Sequence, residues 1–323
     1  MKKVFVTGIT GLLGTNVVIK LLKDDYFVIA LVRKKSSYNG KENENLRLIE
    51  GDLFTDITEY VQGVHYFIHI AAETSQNLVS YERYKKINYE AVIHLFSHAV
   101  TAEVEKFLFV STANTLGFGS VGNPGNEGRK QKFPFTESLY AKSKLEAENY
   151  LLRHNNMTEV IIFNPTFMIG AYDQKPSSGK IIFWGWKKTV VFYPKGGKNF
   201  VHAADAADGI LQGMKKGKNG EKYILASENL KYKTFFKILN QVTNQDPVMI
   251  PIPDFILISL GFAGDFLRLC NIKTNLSSAN MKALRIDNFY SSQKSVEDLG
   301  LIYQPVGNAV KDAVEYFEQN KKI

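Results

Sequence analysis

Cysteine is almost absent: Cys270 is the single one in 323 residues. No intramolecular disulfide and no cysteine-based zinc site can therefore form, and a reducing compartment is permitted. Cys270 lies in an apolar stretch and reads as a core residue rather than a nucleophile. Long apolar runs are missing as well. Segment 255–264 holds ten uncharged residues between Asp254 and Asp265, whereas a spanning helix needs about 20. It is expected to be a core or cleft helix, with an interfacial anchor as the alternative, and membrane association is not expected. Met1-Lys2-Lys3 followed by an apolar run imitates a signal peptide, but Gly8, Gly11 and Gly14 punctuate the run and no small-residue cleavage site follows. Internal repeats of 20–50 residues are absent, which excludes solenoids and propellers. Acidic residues are in deficit, 32 against 40 Lys and Arg, for a net charge of +8. That balance suits nucleic acid, an anionic membrane or a phosphorylated small molecule, or simply a solvated lysine-rich surface.

What is present is a large apolar fraction, 45% of the chain, enough for a sizeable core. Short apolar runs alternate with amphipathic stretches in the first half. Strands are expected at 2–7, 27–32, 46–50, 66–70, 106–110 and 160–163, with helices at 12–22, 84–102 and 139–153. Strands separated by helices of this length build a parallel sheet covered on both faces. The fold class is therefore α/β, a Rossmann-type doubly wound sheet. Past Pro165 the pattern changes. Gly, Pro and aromatic residues crowd 170–198, a helix at 205–214 and a strand at 223–225 follow, and the chain from Ser227 on is helix-rich. The expected division is a dinucleotide-binding domain of 1–170 plus 199–226, and a smaller, mostly helical substrate lobe of 171–198 plus 227–323. The aromatics at 183–193 and 255–266 are expected either to line a substrate cleft or to pack between the lobes.

The first strand runs into Gly8-Ile9-Thr10-Gly11-Leu12-Leu13-Gly14, which opens a helix. Gly8 permits the tight turn, Gly11 lets main chain approach a pyrophosphate, and Gly14 lets the helix pack on the sheet. The helix N-terminus presents N–H groups and a positive dipole end to the phosphates. The loop residues Gly8, Thr10, Gly11, Leu12, Leu13 and Gly14 are thus candidate cofactor contacts. The second strand ends in Arg33-Lys34-Lys35, where readers of NAD carry an acid for the ribose hydroxyl. A guanidinium can instead bind a 2′-phosphate in a bidentate way, so Arg33 favours NADP(H) over NAD(H). Asp52 and Leu53, after the third strand, are candidates for the adenine end; the alternative for Asp52 is a turn residue.

Tyr140 and Lys144 are four residues apart on a helix and share a face. A nearby ammonium is expected to lower the tyrosine pKa from about 10 and make Tyr140 a general acid or base. Lys142 faces elsewhere. Upstream, Ser111 and Thr112 end a central strand, where a hydroxyl can reach a substrate carbonyl oxygen.

These motifs together resemble the extended short-chain dehydrogenase/reductase family, also called the NAD-dependent epimerase/dehydratase family. The resemblance rests on Gly8/Gly11/Gly14, Asp52, His69-Ile70-Ala71-Ala72, Asn88, Ser111-Thr112, Tyr140/Lys144, Asn164-Pro165-Thr166 and the stretch from Phe200 to Asp205, and so runs through nearly the whole chain. Arg33 and the Asn-Pro-Thr stretch look most like the dihydroflavonol-reductase branch. The resemblance implies Tyr140 as acid/base and Lys144 as binder of the nicotinamide ribose. It implies Thr112 as the catalytic hydroxyl, with Ser111 as the alternative. Ala71, Ala72 and Pro165 would line the cofactor, Asn88 would be structural, and a homodimer would form through 84–102 and 139–153. Ala113 and Asn114 stand where sugar dehydratases of this family carry an acidic pair, which argues against elimination. The expected activity is hydride transfer between NADP(H) and a small ketone, aldehyde or alcohol in the cytoplasm. The alternatives are a nucleotide-sugar epimerase with the same triad and a non-catalytic dinucleotide-binding protein. His94 and His98 lack an evident third metal ligand, so no metal is expected. The basic loop 215–218 lacks the interleaved aromatics of a nucleic-acid binder.

Overall fold

The computed structural model describes residues 1–38, 40–75 and 78–320. Six strands lead the chain: β1 (Lys3–Thr7), β2 (Phe27–Val32), β3 (Leu46–Glu50), β4 (Tyr66–His69), β5 (Lys106–Val110) and β6 (Glu159–Pro165). Between them lie α1 (Leu12–Lys23), α2 (Thr58–Val61), α3 (Glu82–Lys85), α4 (Ala91–Thr101) and α5 (Leu139–Arg153). A π-helical turn, Lys86–Glu90, joins α3 to α4, so the expected helix at 84–102 is one continuous rod. After β7 (Phe167–Ile169) come α6 (Lys180–Gly185), β8 (Val190–Tyr193), β9 (Gly197–His202), α7 (Ala203–Lys216), β10 (Lys222–Leu225), β11 (Glu228–Lys231), α8 (Tyr232–Val242) and β12 (Val248–Pro251). The chain ends through α9 (Asp254–Leu269), α10 (Ser278–Arg285), β13 (Asp287–Asn288), α11 (Gln293–Leu299) and α12 (Val306–Gln319).

Seven strands form one parallel sheet in the order β10-β6-β5-β4-β1-β2-β3. The order reverses between β1 and β4, the switch point where doubly wound sheets open a crevice. Side-chain alternation explains why both faces are covered. Val4 and Val6 of β1, with Val28, Ala30 and Val32 of β2, pack against Val17, Val18 and Leu21 of α1 and Ile210 of α7. Phe5, Ile29 and Leu31 point the other way, onto Val92, Leu95 and Phe96 of α4 and Leu151 of α5.

The remaining strands do not join this sheet. β9 pairs with β7, β11 and β13, and β8 pairs with β12. The division expected at residue 199 thus cuts through β9. α7 packs on the large sheet beside α1, but β9 belongs to the smaller one.

The aromatic segments part company. Trp186, Tyr193, Phe235, Phe236 and Phe317 are buried in a second core between α6, α8 and α12. Segment 255–264, expected as a core or cleft helix, is instead a surface helix: only Leu257, Gly261 and Gly264 of α9 are buried, and Phe255 and Phe262 are 68% and 67% exposed. Cys270, expected in the core, caps that helix and is exposed. Apolar spacing identifies the helix but does not say whether a second layer covers it. Among the described residues no helix is long and apolar enough to cross a membrane.

Candidate active site

The expected site residues outside α1 and α5 sit at or just past the carboxyl end of a sheet strand. Because the strands are parallel and adjacent, Gly8, Arg33, Asp52, Ala71, Thr112 and Pro165 line up along one edge. At the turn, Gly8 has φ +80°, and a Cβ there would lie 2.6 Å from the Ala71 nitrogen. A Cβ on Gly14 would fall 2.1 Å from the Gly8 carbonyl oxygen, so α1 and the loop touch as only glycine allows. Gly11 is the N-cap of α1 and is exposed, without a side-chain cap. The helix N-terminus therefore faces the crevice as bare main chain, the geometry that holds phosphate. Leu12 and Leu13 are buried, so their part in such a cradle is limited to main chain. Thr7 steadies the facing strand: its hydroxyl lies 2.8 Å from Nδ1 of His69 and accepts from the Ala71 N–H at 3.3 Å.

Arg33 is exposed at the end of β2. Glu50 accepts the Lys35 N–H at 3.0 Å and so fixes the turn that follows. Asp52 accepts from the Phe54 N–H at 2.8 Å, while Thr55 Oγ1 receives the Asp52 N–H at 2.9 Å. Its hydrogen bonds thus stay within its own turn, and Leu53 beside it is half-buried against the core.

Two adjacent hydroxyls at the end of β5 go opposite ways. Thr112 lies beside the Tyr140 hydroxyl and pulls its pKa down. Ser111 turns inward and donates to the fully buried carboxylate of Glu148. Thr115 donates to the same carboxylate at 2.7 Å, Asn164 at 2.8 Å, and Lys222 closes the cluster as an ion pair. Tyr140, Lys144 and Glu148 are spaced at i, i+4 and i+8, so this network is the lower part of the same helix face. Sequence reasoning missed Glu148; its spacing was the available signal.

Lys144 is fully buried, donates to the Val110 carbonyl at 2.6 Å and lies 4.0 Å from the centre of the Phe109 ring. Burial brings its pKa down to about 7, against the pull of Glu148. Tyr140 does not show the lowered pKa expected from a neighbouring ammonium. Crowding by protein pushes it up to about 12, and only the Thr112 hydroxyl works downward. At neutral pH Tyr140 is therefore a proton donor. His69 stacks on Phe109 at 5.9 Å and is held down to about 3 by burial, hence neutral.

Asn88 braces the helix from behind, donating to Ser143 Oγ at 3.0 Å and to the Glu73 carbonyl at 3.0 Å. Lys142 points away, over the Tyr81 ring. A cleft of about 390 Å³ opens beside the start of α5, lined by Leu78, Tyr84, Phe133, Leu139, Asp265 and Arg268 among others. The Tyr84 ring lies 6.5 Å from that of Tyr140. In the basic loop, Lys215 pairs with Asp24 and Lys218 with Asp298. The His94 and His98 rings meet edge to face, and among the described residues no group of three candidate ligands could hold a metal.

Residues 4–226 match the model of the NAD dependent epimerase/dehydratase family. A Synechocystis protein named "Putative dihydroflavonol 4-reductase" is 26% identical over 98% of this chain and 94% of its own length. The Dictyostelium discoideum sterol-4-alpha-carboxylate 3-dehydrogenase, decarboxylating, is 28% identical over 78% of this chain and 81% of its own. The crystal structure of gox2253 superposes with a TM-score of 0.83 at 28% identity, covering 100% of both chains. UDP-glucose 4-epimerase of Thermotoga maritima, at 20% identity and a TM-score of 0.76 over 99% of both chains, shares the fold.

Proposed function

The chain belongs to the NAD dependent epimerase/dehydratase family of nicotinamide-dependent oxidoreductases, and we propose that within it the protein is an NADP(H)-dependent carbonyl reductase or alcohol dehydrogenase. Its substrates are small ketones, aldehydes or the matching alcohols. The observation that carries this reading is the placement of the Thr112 hydroxyl beside that of Tyr140, where it lowers the tyrosine pKa, at the sheet edge where the crevice opens. The bare N-terminus of α1 and the glycine contacts around Gly8 suit a dinucleotide pyrophosphate. When bound, the nicotinamide supplies or takes up the hydride.

The side chains of this chain handle the oxygen and its proton. Thr112 hydrogen-bonds the substrate carbonyl oxygen and orients it. Tyr140, protonated at neutral pH, delivers its proton to that oxygen as negative charge develops there. Lys144, four residues on and held by the Val110 carbonyl, is the side chain that would turn to the ribose hydroxyls when the dinucleotide is bound. Ala71, Ala72 and Pro165 border the same edge and form its walls. Arg33 stands past β2, where it can meet a 2′-phosphate, and the end of β2 carries no acid to oppose one.

An NADPH-consumption screen over aldehydes, ketones, steroids and flavonoid-type compounds tests the reading, with nucleotide sugars as a control arm. Turnover of a carbonyl with NADPH favoured over NADH supports it. Turnover of a nucleotide sugar without added cofactor, or NADPH binding without turnover on any carbonyl, overturns it.

A further inference from the structure

Helix α9 is apolar on nearly all sides yet sits on the surface. Its inner face is Leu257, Gly261 and Gly264; the two glycines lie close against Ser278 and Leu276. On the opposite side Phe255, Ile258, Phe262, Phe266 and Leu269 follow at intervals of three or four residues and form one stripe. Phe266 is 66% and Leu269 84% exposed, and Ile256, Leu260 and Ile272 add exposed apolar surface beside the stripe. Sixteen residues make this stripe about 24 Å long. A helix with this composition is normally buried, and exposed apolar patches of such extent mark a contact surface.

β12, which precedes α9 by a short link, and its partner β8 carry further exposed apolar surface. Val190, Phe192, Val248 and Ile250 occupy matching registers of this pair and are all exposed. Charge surrounds the apolar area unevenly. Lys187 and Lys188 lead into β8, Lys195 follows it, and Lys273 follows α9; all four are exposed. Of the nearby acids, Asp254 pairs with Arg285 and Asp265 is taken by Ser278, which leaves Asp246 exposed. A second copy docked through this face would bring two lysine-rimmed surfaces together, which is repulsive. Anionic headgroups over an acyl layer complement both features, aromatic stripe and lysine rim.

We propose that α9, with the outer face of β8 and β12, docks the protein peripherally on an anionic lipid bilayer. The docked stripe lies flat at the headgroup level. Asp265 and Arg268, at the edges of the same helix, line the cleft beside Tyr84 and Leu139, so docking brings the cleft next to the membrane surface.

Flotation of the full chain with vesicles tests this, comparing phosphatidylcholine alone with a mixture holding about one quarter phosphatidylglycerol. The expected result is association with the anionic vesicles about tenfold stronger than with the neutral ones, weakening as salt is raised. Phe262→Ser/Phe266→Ser, on the outer face, should lower it at least about tenfold with an unchanged thermal melt. Lys187→Glu/Lys188→Glu should remove most of the preference for anionic lipid. Failure of the wild-type chain to float with anionic vesicles overturns the proposal, whatever the variants do. So does a dimer in light scattering that Phe262→Ser/Phe266→Ser dissolves, which assigns the face to a second copy.

Discussion

The crevice edge of the large sheet and the surface of α9 treat their side chains in opposite ways. At the crevice, polar groups are buried and largely paired: Glu148 takes hydrogen bonds from Ser111, Thr115 and Asn164 and an ion pair from Lys222, while Asn164 Oδ1 and His69 Nε2 are left without a partner among the described residues. On α9, apolar groups are exposed and Phe255, Phe262 and Phe266 meet nothing like the cover their size calls for. Both depart from the usual partition of residues, and both departures fall where function is proposed. Buried polar groups cost stability unless fully paired, so the crevice network serves a fixed geometry around Thr112 and Tyr140. Exposed apolar area costs solubility and serves contact.

The contrast predicts effects of different kind and size. Glu148→Ala leaves Lys222 and Ser111 without their acceptor, while Thr115 and Asn164 keep the Thr112 carbonyl, and should cost about 3–5 kcal/mol in urea unfolding. Thr112→Val should lower turnover about a hundredfold with the fold intact. Its neighbour Ser111→Ala should lose stability, by about 1–3 kcal/mol, with turnover near that of the wild type. If these two exchange effects, the catalytic hydroxyl is Ser111. Arg33→Ser should cut the preference for NADPH over NADH about tenfold. On the other region, Phe262→Ser alone should change stability by no more than about 0.5 kcal/mol and leave turnover in solution unchanged.

A pH profile sharpens the same comparison. Tyr140, with its pKa at about 12, keeps its proton through the neutral range. Lys144, at about 7, loses its charge as pH rises through neutrality. kcat/KM for carbonyl reduction, which reports the free enzyme, should therefore fall as pH rises past about 7 and show no such inflexion in Lys144→Met. Stability should follow His69. Its folded pKa is depressed to about 3, so the unfolded chain binds more protons between about 6.5 and 3. The native state is stabilised above that window and loses that stabilisation as pH falls through it.

Much of the large sheet is legible in the sequence because short-range pattern and long-range packing agree there. Apolar alternation in β1 and β2 states which residues face α1 and which face α4, and Gly8 and Gly14 mark contacts only glycine permits. The helix pair Tyr140 and Lys144 is legible for the same reason, since four-residue spacing is local. Three things are not. Ser111 and Thr112 are chemically alike and adjacent, so only the fold decides which one turns toward Tyr140. The Glu148–Lys222 pair joins residues 74 apart, through the parallel pairing of β10 with β6. The exposure of α9 escapes pattern reading because a helix apolar on all sides names no inward face. The lowered tyrosine pKa expected from Lys144 fails for a related reason. Lys144 spends its ammonium on the Val110 carbonyl, and the packing around Tyr140 outweighs it.

The central claim is that Tyr140 delivers the proton in a carbonyl reduction. Tyr140→Phe removes one oxygen and leaves the ring beside Tyr84. NADPH binding by fluorescence titration and NADPH consumption with an accepted carbonyl substrate should be measured on this variant and the wild type together. The account predicts unchanged binding and turnover lower by about 10²–10⁴. Wild-type-like turnover in Tyr140→Phe would contradict it.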